Sequence, residues 1–314
     1  IPMLLSLPDN PCPDQAQVSI LTTEDGYRLR AASWTPSGAQ HGTVLMLQGR
    51  AECIEKYFEP IQSFLDRGFG VISFDWRGQG GSERLLADPM KGHIDHFEDY
   101  QTDLRAIRSH YAQDLQKPVL AFAHSMGGLI LLQALHHDPH WVKAALFTAP
   151  MLDIVLLRQQ PWLKQIIKAG CLLGFKKQYP PLHRSQSPLT MAFERNPLTR
   201  NRARFERTQT LLRTNPALAL GMPTLGWLGE AIRAIHHVPM LVKGLNQQGP
   251  DTMLMIAPTL DRVTATEATA HFCAHVKRAE LVMIENSNHE ILMENDPARD
   301  QFWHLFEKQI LPLF

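Results

Sequence analysis

The stretch Lys117–His137, KPVLAFAHSMGGLILLQALHH, decides how this chain folds. Its first half is an apolar, β-prone run that ends at Ser125. Its second half opens on Met126-Gly127-Gly128 and continues as an apolar helix. A strand that passes straight into a helix needs a sharp turn. Small residues two positions either side of the serine, Ala123 and Gly127, let the backbone make that turn without clashes. A serine hydroxyl is a weak nucleophile, so it must be exposed and held beside a base. The turn does both, and the following helix aims its N-terminus at any negative charge that develops there. Serines between small residues also begin helices merely as caps, but the strand before this one and the helix after it favour a nucleophile.

Working outward, QVSILTTEDGYRLRAASWTP reads as two short strands around a turn at Glu24-Asp25-Gly26. TVLMLQG is a buried parallel strand ending at Gly49, residues 54–67 have helical spacing, and GVISFDW is the next strand. HFEDYQTDLRAIRSHYAQDL predicts an amphipathic helix with Phe97, Tyr100, Leu104 and Ile107 on one face. AALFTAP is a further strand. From about Leu152 the pattern turns helical and proline-rich. Strands resume at TMLMIAP (252–258), with a helix near 264–276, the strand AELVMIEN and a C-terminal helix from Arg299. The β-α-β-α-β order predicts a mostly parallel sheet flanked by helices, and the serine on its strand-to-helix turn suits the α/β-hydrolase fold. We expect a core in two parts, 1–151 and 241–314, with a helical cap over 152–240. The cap would roof the carboxyl ends of the strands, where open α/β sheets bind ligands.

In this fold the acid and base follow the serine in the order nucleophile, acid, base. Asp261 lies just past TMLMIAP, and His289 just past ELVMIEN. Of the rival carboxylates, Asp251 precedes its strand and Asp296 follows the histidine. An oxyanion needs two donors. Met126 supplies one amide, and Arg50 in Gln48-Gly49-Arg50 is the candidate for the other, with Gly49 clearing space for a substrate carbonyl. Gly127 is expected to support the turn. The loop FDWRGQGGS (74–82) is neither a dinucleotide fingerprint nor a P-loop. It reads as a tight wrap beneath the site, with Asp75 as a hydrogen-bonding support.

Composition narrows the class. The chain has 314 residues, 44% hydrophobic, with no repeat or low-complexity tract, which suits a globular enzyme. Cys12, Cys53, Cys171 and Cys273 are far apart and form no metal or disulfide pattern, so neither metal nor cofactor is expected. The opening residues are only briefly apolar and no long apolar run follows, so a cytoplasmic protein, or one peripheral at the inner face of the membrane, is expected. No nucleic-acid partner is expected.

The net charge of zero hides an asymmetry. Between Ile154 and Met240 stand thirteen basic residues: Arg158, Lys164, Lys168, Lys176, Lys177, Arg184, Arg195, Arg200, Arg202, Arg204, Arg207, Arg213 and Arg233. Only Glu194, Glu206 and Glu230 oppose them, so the segment carries +10 (thirteen less three) and the remainder −10. Such a basic cap suits an anionic headgroup or an anionic membrane surface, and equally a solvated helix face. Its apolar residues Trp162, Leu163, Ile166, Leu172, Leu173, Phe175, Phe193 and Trp227 suit a channel lining, and equally plain packing.

The segments QGRAECIEKY, FDWRGQGGSERLLADPMKGHIDHFEDYQTDL, AHSMGG, TAPM, NPLTRNRARFERTQTLL, GMPTLGWL and NHEILMEND resemble the serine-hydrolase family of monoacylglycerol lipases and bacterial lysophospholipases. The likeness runs from roughly residue 20 to 310 and is greatest to the bacterial lysophospholipases associated with the inner membrane. The alanine that opens AHSMGG looks like that subgroup. Gln48 stands where His or Pro is more usual. The resemblance implies hydrolysis of one acyl ester on a glycerol backbone, with the cap forming an acyl-chain tunnel. A monoacylglycerol lipase or general carboxylesterase is the alternative, and a silent lipid-binding protein a remote one. An aminopeptidase stays open by fold alone. The serine at position 125 excludes a haloalkane dehalogenase, which needs a carboxylate there.

Overall fold

Alternation of side chains along the strands builds two cores at once, one on each face of a single sheet. The computed structural model describes residues 3–181 and 187–314; Arg184, counted above in the basic segment, lies outside them. The strands are β1 (Gln17–Thr22), β2 (Arg28–Trp34), β3 (Gly42–Leu47), β4 (Phe69–Phe74), β5 (Val119–His124), β6 (Ala144–Thr148), β7 (Met253–Pro258) and β8 (Ala279–Ile284). Their order across the sheet is β1-β2-β4-β3-β5-β6-β7-β8. β1 and β2 pair antiparallel, as do β2 and β4; every other neighbour is parallel. In β3, Leu45 and Leu47 face one core while Val44 and Met46 face the other. β3 to β7 are buried along their whole length, which is why they read as continuous apolar runs rather than alternating ones.

The helices are α1 (Phe58–Leu65), α2 (Asp99–His110), α3 (Met126–His137), α4 (Val155–Gln159), α5 (Trp162–Leu172), α6 (Arg202–Thr214), α7 (Leu225–His236), α8 (Val238–Gln247), α9 (Thr266–His275) and α10 (Asp296–Leu305). Residues 54–67 divide into a 3₁₀ turn at Ile54–Tyr57 followed by α1. The C-terminal helix starts at Asp296, three residues before the expected Arg299, because Pro297 sits in its first turn, where a missing N–H costs nothing.

α4 to α7 lie between β6 and β7 and form the inserted helical segment. The expected boundary at 240 cuts α8. That helix packs against α3, where a Cβ on Gly244 would meet the His136 ring, so it belongs with the core. Ion pairs dock the insertion: Arg204 to Glu59 and Asp296, Arg207 to Glu59, Arg233 to Glu98 and Arg158 to Glu267. Part of the charge asymmetry seen in the sequence is thus a docking pattern between insertion and core.

The strand order reverses direction between β3 and β5, which pair in parallel with Leu47 beside Ala123. Chain leaving β3 and chain leaving β5 therefore part to opposite faces and open a crevice at their carboxyl ends. Gly49-Arg50 and Ser125 both stand there.

Candidate active site

Ser125 occupies the turn between β5 and α3 with φ 51° and ψ −116°, a left-handed backbone rare for a residue with a side chain. Such strain persists only where surroundings over-determine it. Here the Ser125 amide donates to Thr148 O (3.1 Å), and its carbonyl accepts from the Gly128 and Met151 amides (2.9 Å each). Gly127 is required because a Cβ there would lie 2.3 Å from Leu47 O and 2.6 Å from Gln48 O. The first amide of α3, that of Met126, has no place in the helix's own hydrogen-bond ladder.

His289, in the loop after β8, places Nε2 2.9 Å from Ser125 Oγ and Nδ1 2.8 Å from Asp261 Oδ2. Asp261, in the loop after β7, is held in turn. Its Oδ1 accepts from the Val263 and Thr264 amides (2.7 and 3.0 Å), and Thr264 Oγ1 stands 2.9 Å from Oδ2. Burial alone would lower the His289 pKa, but the Asp261 carboxylate beside it leaves it raised. Burial would raise Asp261, but the imidazole and the two amides hold it below the usual carboxylate value. The rival carboxylates are elsewhere: Asp251 is an exposed partner of Arg278 (3.6 Å), and Asp296 belongs to the Arg204 and Arg299 pairs.

The loop after β3 approaches closely, since a Cβ on Gly49 would lie 3.2 Å from Ser125 Cβ. The amides either side of Arg50 are both engaged, Gly49 N on Glu52 Oε2 (2.5 Å) and Ala51 N on Gln79 Oε1 (3.2 Å). The 74–82 loop lies underneath. Trp76 Nε1 donates to Gln48 O (2.9 Å) and Gln79 Nε2 to Gly49 O (2.9 Å). Asp75 accepts from the Ile54 and Gly81 amides and from Arg30, which also pairs with Glu55. Gly80, at φ +54°, is required because its Cβ would fall 2.3 Å from Asp75 Cγ.

Several neighbours escape sequence reasoning. Glu52 joins Lys56 Nζ (2.8 Å) and the Tyr57 hydroxyl (2.7 Å), and Lys56 also reaches Glu290 (2.5 Å); all are buried. Burial pushes Glu52 up, but Lys56 and the other neighbours hold it at about 2. His124 packs against His289 (ring centroids 4.8 Å) with Nδ1 3.0 Å from Thr148 Oγ1, and burial pushes its pKa down to about 4. The signal was present as Glu and Lys four residues apart, but that spacing reads as a surface helix pair. Cys53 is buried, and burial pushes its thiol well above the ordinary value.

This geometry is the one that a serine nucleophile with an imidazole base and an orienting carboxylate would need. The family model "serine aminopeptidase, S33" matches residues 38–296. The chain belongs to that hydrolase family. Lysophospholipase L2 of Escherichia coli is 32% identical over 284 residues, covering 85% of this chain and 80% of that protein. Probable lysophospholipase L2 of Haemophilus influenzae is 29% identical over 271 residues, covering 84% and 82%. A soluble variant of monoglyceride lipase from Saccharomyces cerevisiae shares the fold, with a TM-score of 0.73 at 14% identity and coverage of 96% and 97%. The S33-family protein described here is an ester hydrolase of the α/β-hydrolase fold.

In this hydrolase Ser125 and His289 open into a cavity of about 640 Å³ between core and insertion. Trp162, Leu163, Ile166 and Trp227 line it with Phe205, Leu212 and Met293. Leu172, Leu173, Phe175 and Phe193, also expected there, do not. The first three sit at or past the end of α5 and are 78%, 72% and 53% exposed, with Gly174 at φ +87° turning the chain among them. Phe193 instead packs on Phe205. Among the described residues no cluster could hold a metal ion, and no helix is long and apolar enough to cross a membrane.

Proposed function

We propose that this hydrolase cleaves the acyl ester of a lysophospholipid, releasing a fatty acid and the glycerophospho headgroup. The observation that carries the reading is the Ser125–His289–Asp261 chain opening directly into a large, mainly apolar cavity. Burying a long acyl chain there is favourable by about 0.8 kcal/mol per methylene. Ser125 Oγ attacks the ester carbonyl as His289 Nε2 takes its proton. Asp261 fixes the imidazole tautomer and stabilises the imidazolium. The Arg50 and Met126 amides hold the oxyanion. His289 then protonates the leaving glycerol oxygen, leaving an acyl-enzyme. Water, deprotonated by His289, adds to the acyl carbon; collapse frees the fatty acid and returns the proton to Ser125 Oγ. No step calls on a metal or organic cofactor.

A neutral substrate, a monoacylglycerol or simple carboxylic ester, is the second reading. It is favoured by the mainly apolar wall, in which Lys56 is already held by Glu52 and Glu290 and is not free for a phosphate. A silent lipid-binding protein would need no ordered relay.

The exposed Trp162, Leu172, Leu173 and Phe175, interspersed with Lys164, Lys168, Lys176 and Lys177, suit peripheral contact with an anionic bilayer. Co-sedimentation with phosphatidylglycerol vesicles, lost in Leu172→Ser/Phe175→Ser, checks this. The substrate test is fatty-acid release from lysophosphatidylethanolamine, monoacylglycerol and p-nitrophenyl butyrate, with Ser125→Ala as control. Preference for the lysophospholipid supports the first reading, preference for the neutral esters supports the second, and no turnover of any sinks both.

A further inference from the structure

The Arg50 side chain leaves the β3 loop toward the insertion and enters an unusual setting. Its Nη2 donates to Gly221 O (2.5 Å), and its guanidinium lies over the Trp227 ring, 5.2 Å from the centroid. Its Nε is fully buried and has no hydrogen-bond partner. Among the described residues, three Lys or Arg side chains line the cavity. Lys56 is held by Glu52 and Glu290, and Arg204 by Glu59 and Asp296. Among the described residues Arg50 pairs with no carboxylate, and the nearby Tyr100 and Tyr179 phenols are neutral at ordinary pH, since burial raises both. Burial pulls its pKa down to about 10.

Arg50 is half-buried, and a cation held there without a counter-charge is costly, a cost that an anionic ligand would relieve. Room has been made for it. A Cβ on Gly92 would lie 2.4 Å from Nη2, so only glycine at that position leaves the guanidinium where it is. A guanidinium presents five donors in a planar fork that matches phosphate oxygens, and one of those donors is spent on Gly221 O.

We propose that the Arg50 guanidinium is an anion site for the phosphate of a glycerophospho headgroup. This rests on the lysophospholipid reading above. The scale agrees with it: phosphate and scissile carbonyl are separated by one glycerol unit, and the guanidinium and the Arg50 amide by one arginine side chain. Backbone and side chain of one residue then serve two parts of one substrate, the amide the oxyanion and the guanidinium the phosphate. Specificity for the charged headgroup sits in this one residue, not in the basic residues of the outer cap surface.

The test compares kcat/KM for oleoyl lysophosphatidylethanolamine and 1-oleoylglycerol in the wild type, Arg50→Met, Arg50→Lys and Gly92→Ala. The readout is the ratio of the two, so any disturbance passed to the oxyanion amide cancels. Loss of a charged hydrogen-bonding partner predicts a ratio about 30-fold lower in Arg50→Met, a smaller fall in Arg50→Lys, and a fall in Gly92→Ala, which leaves the oxyanion loop untouched. A ratio unchanged in Arg50→Met overturns the proposal. Inhibition of p-nitrophenyl butyrate hydrolysis by glycerophosphoethanolamine and by inorganic phosphate forms the second arm. Stronger inhibition by the headgroup compound, relieved in Arg50→Met, supports a lipid source, and equal inhibition by inorganic phosphate points to a free-phosphate site. If the wild type fails to cleave lysophospholipid, the functional reading falls, and inhibition unaffected by Arg50→Met then removes the anion site as well.

Discussion

Replacing Gly127 with alanine should destabilise this protein, although glycine-to-alanine changes inside helices ordinarily stabilise by about 1 kcal/mol. Gly127 is the second residue of α3, and its missing side chain faces the end of β3. An added Cβ would stand 2.3 Å from Leu47 O, 2.6 Å from Gln48 O and 2.7 Å from Leu47 C, all backbone atoms that cannot swing aside. A carbon–oxygen contact settles near about 3.3 Å, so helix and strand must part by roughly 1 Å. Overpacking of that kind costs about 1–3 kcal/mol, enough to outweigh the helical gain. The parting also moves Gly49 and Arg50 away from Ser125 and Met126, and a displacement of about 1 Å can cost about 100-fold in rate. Urea denaturation followed by tryptophan fluorescence reads the first effect; kcat/KM on p-nitrophenyl butyrate reads the second. A variant as stable and as active as the wild type would refute the reasoning, because it would mean that β3 and α3 are not held at this distance.

Further outcomes follow from the same geometry. In the proposed mechanism His289 must be neutral to accept the Ser125 proton, and its pKa is raised by Asp261, so activity should fall as pH drops through a midpoint above the usual histidine value of about 6.5. In Asp261→Asn the midpoint should move down, since burial remains while the raising charge is gone, and kcat should fall by roughly 10⁴; a pH–rate profile with an unmoved midpoint contradicts this. The same raised pKa adds stability in acid, where His289 is charged in both states, and that part is lost as pH rises through the folded-state value. Glu52→Gln leaves one acceptor oxygen for Gly49 N, Lys56 and Tyr57, so about 1.5–3 kcal/mol of stability and part of kcat should be lost in melting and rate assays. Arg30→Met strands the buried Glu55 and Asp75 carboxylates, and chemical denaturation should show a loss of about 3–5 kcal/mol.

Much of this was legible because the backbone imposes it. A strand that meets a helix through a serine leaves few residue types on either side, and Ala123 and Gly127 announced the turn. The places of Asp261 and His289 followed from which strands they end. What stayed hidden depended on contacts between distant segments. Nothing in the local sequence tells that Lys56 is buried between Glu52 and Glu290, 234 positions further along the chain. Apolar residues around the end of α5 have the same composition whether they face a tunnel or water, so Leu172, Leu173 and Phe175 could not be told from Leu163. The basic excess was visible, but its partners Glu59, Glu98 and Asp296 lie in the core and only the fold brings them over.

The most direct measurement of the central claim is mass spectrometry of the protein after treatment with a fluorophosphonate, which captures a serine made nucleophilic by its neighbours. One adduct is expected on the peptide carrying Ser125, absent in Ser125→Ala and strongly slowed in His289→Ala. Equal labelling of Ser125→Ala, or a wild type that hydrolyses esters while escaping the probe, would contradict it.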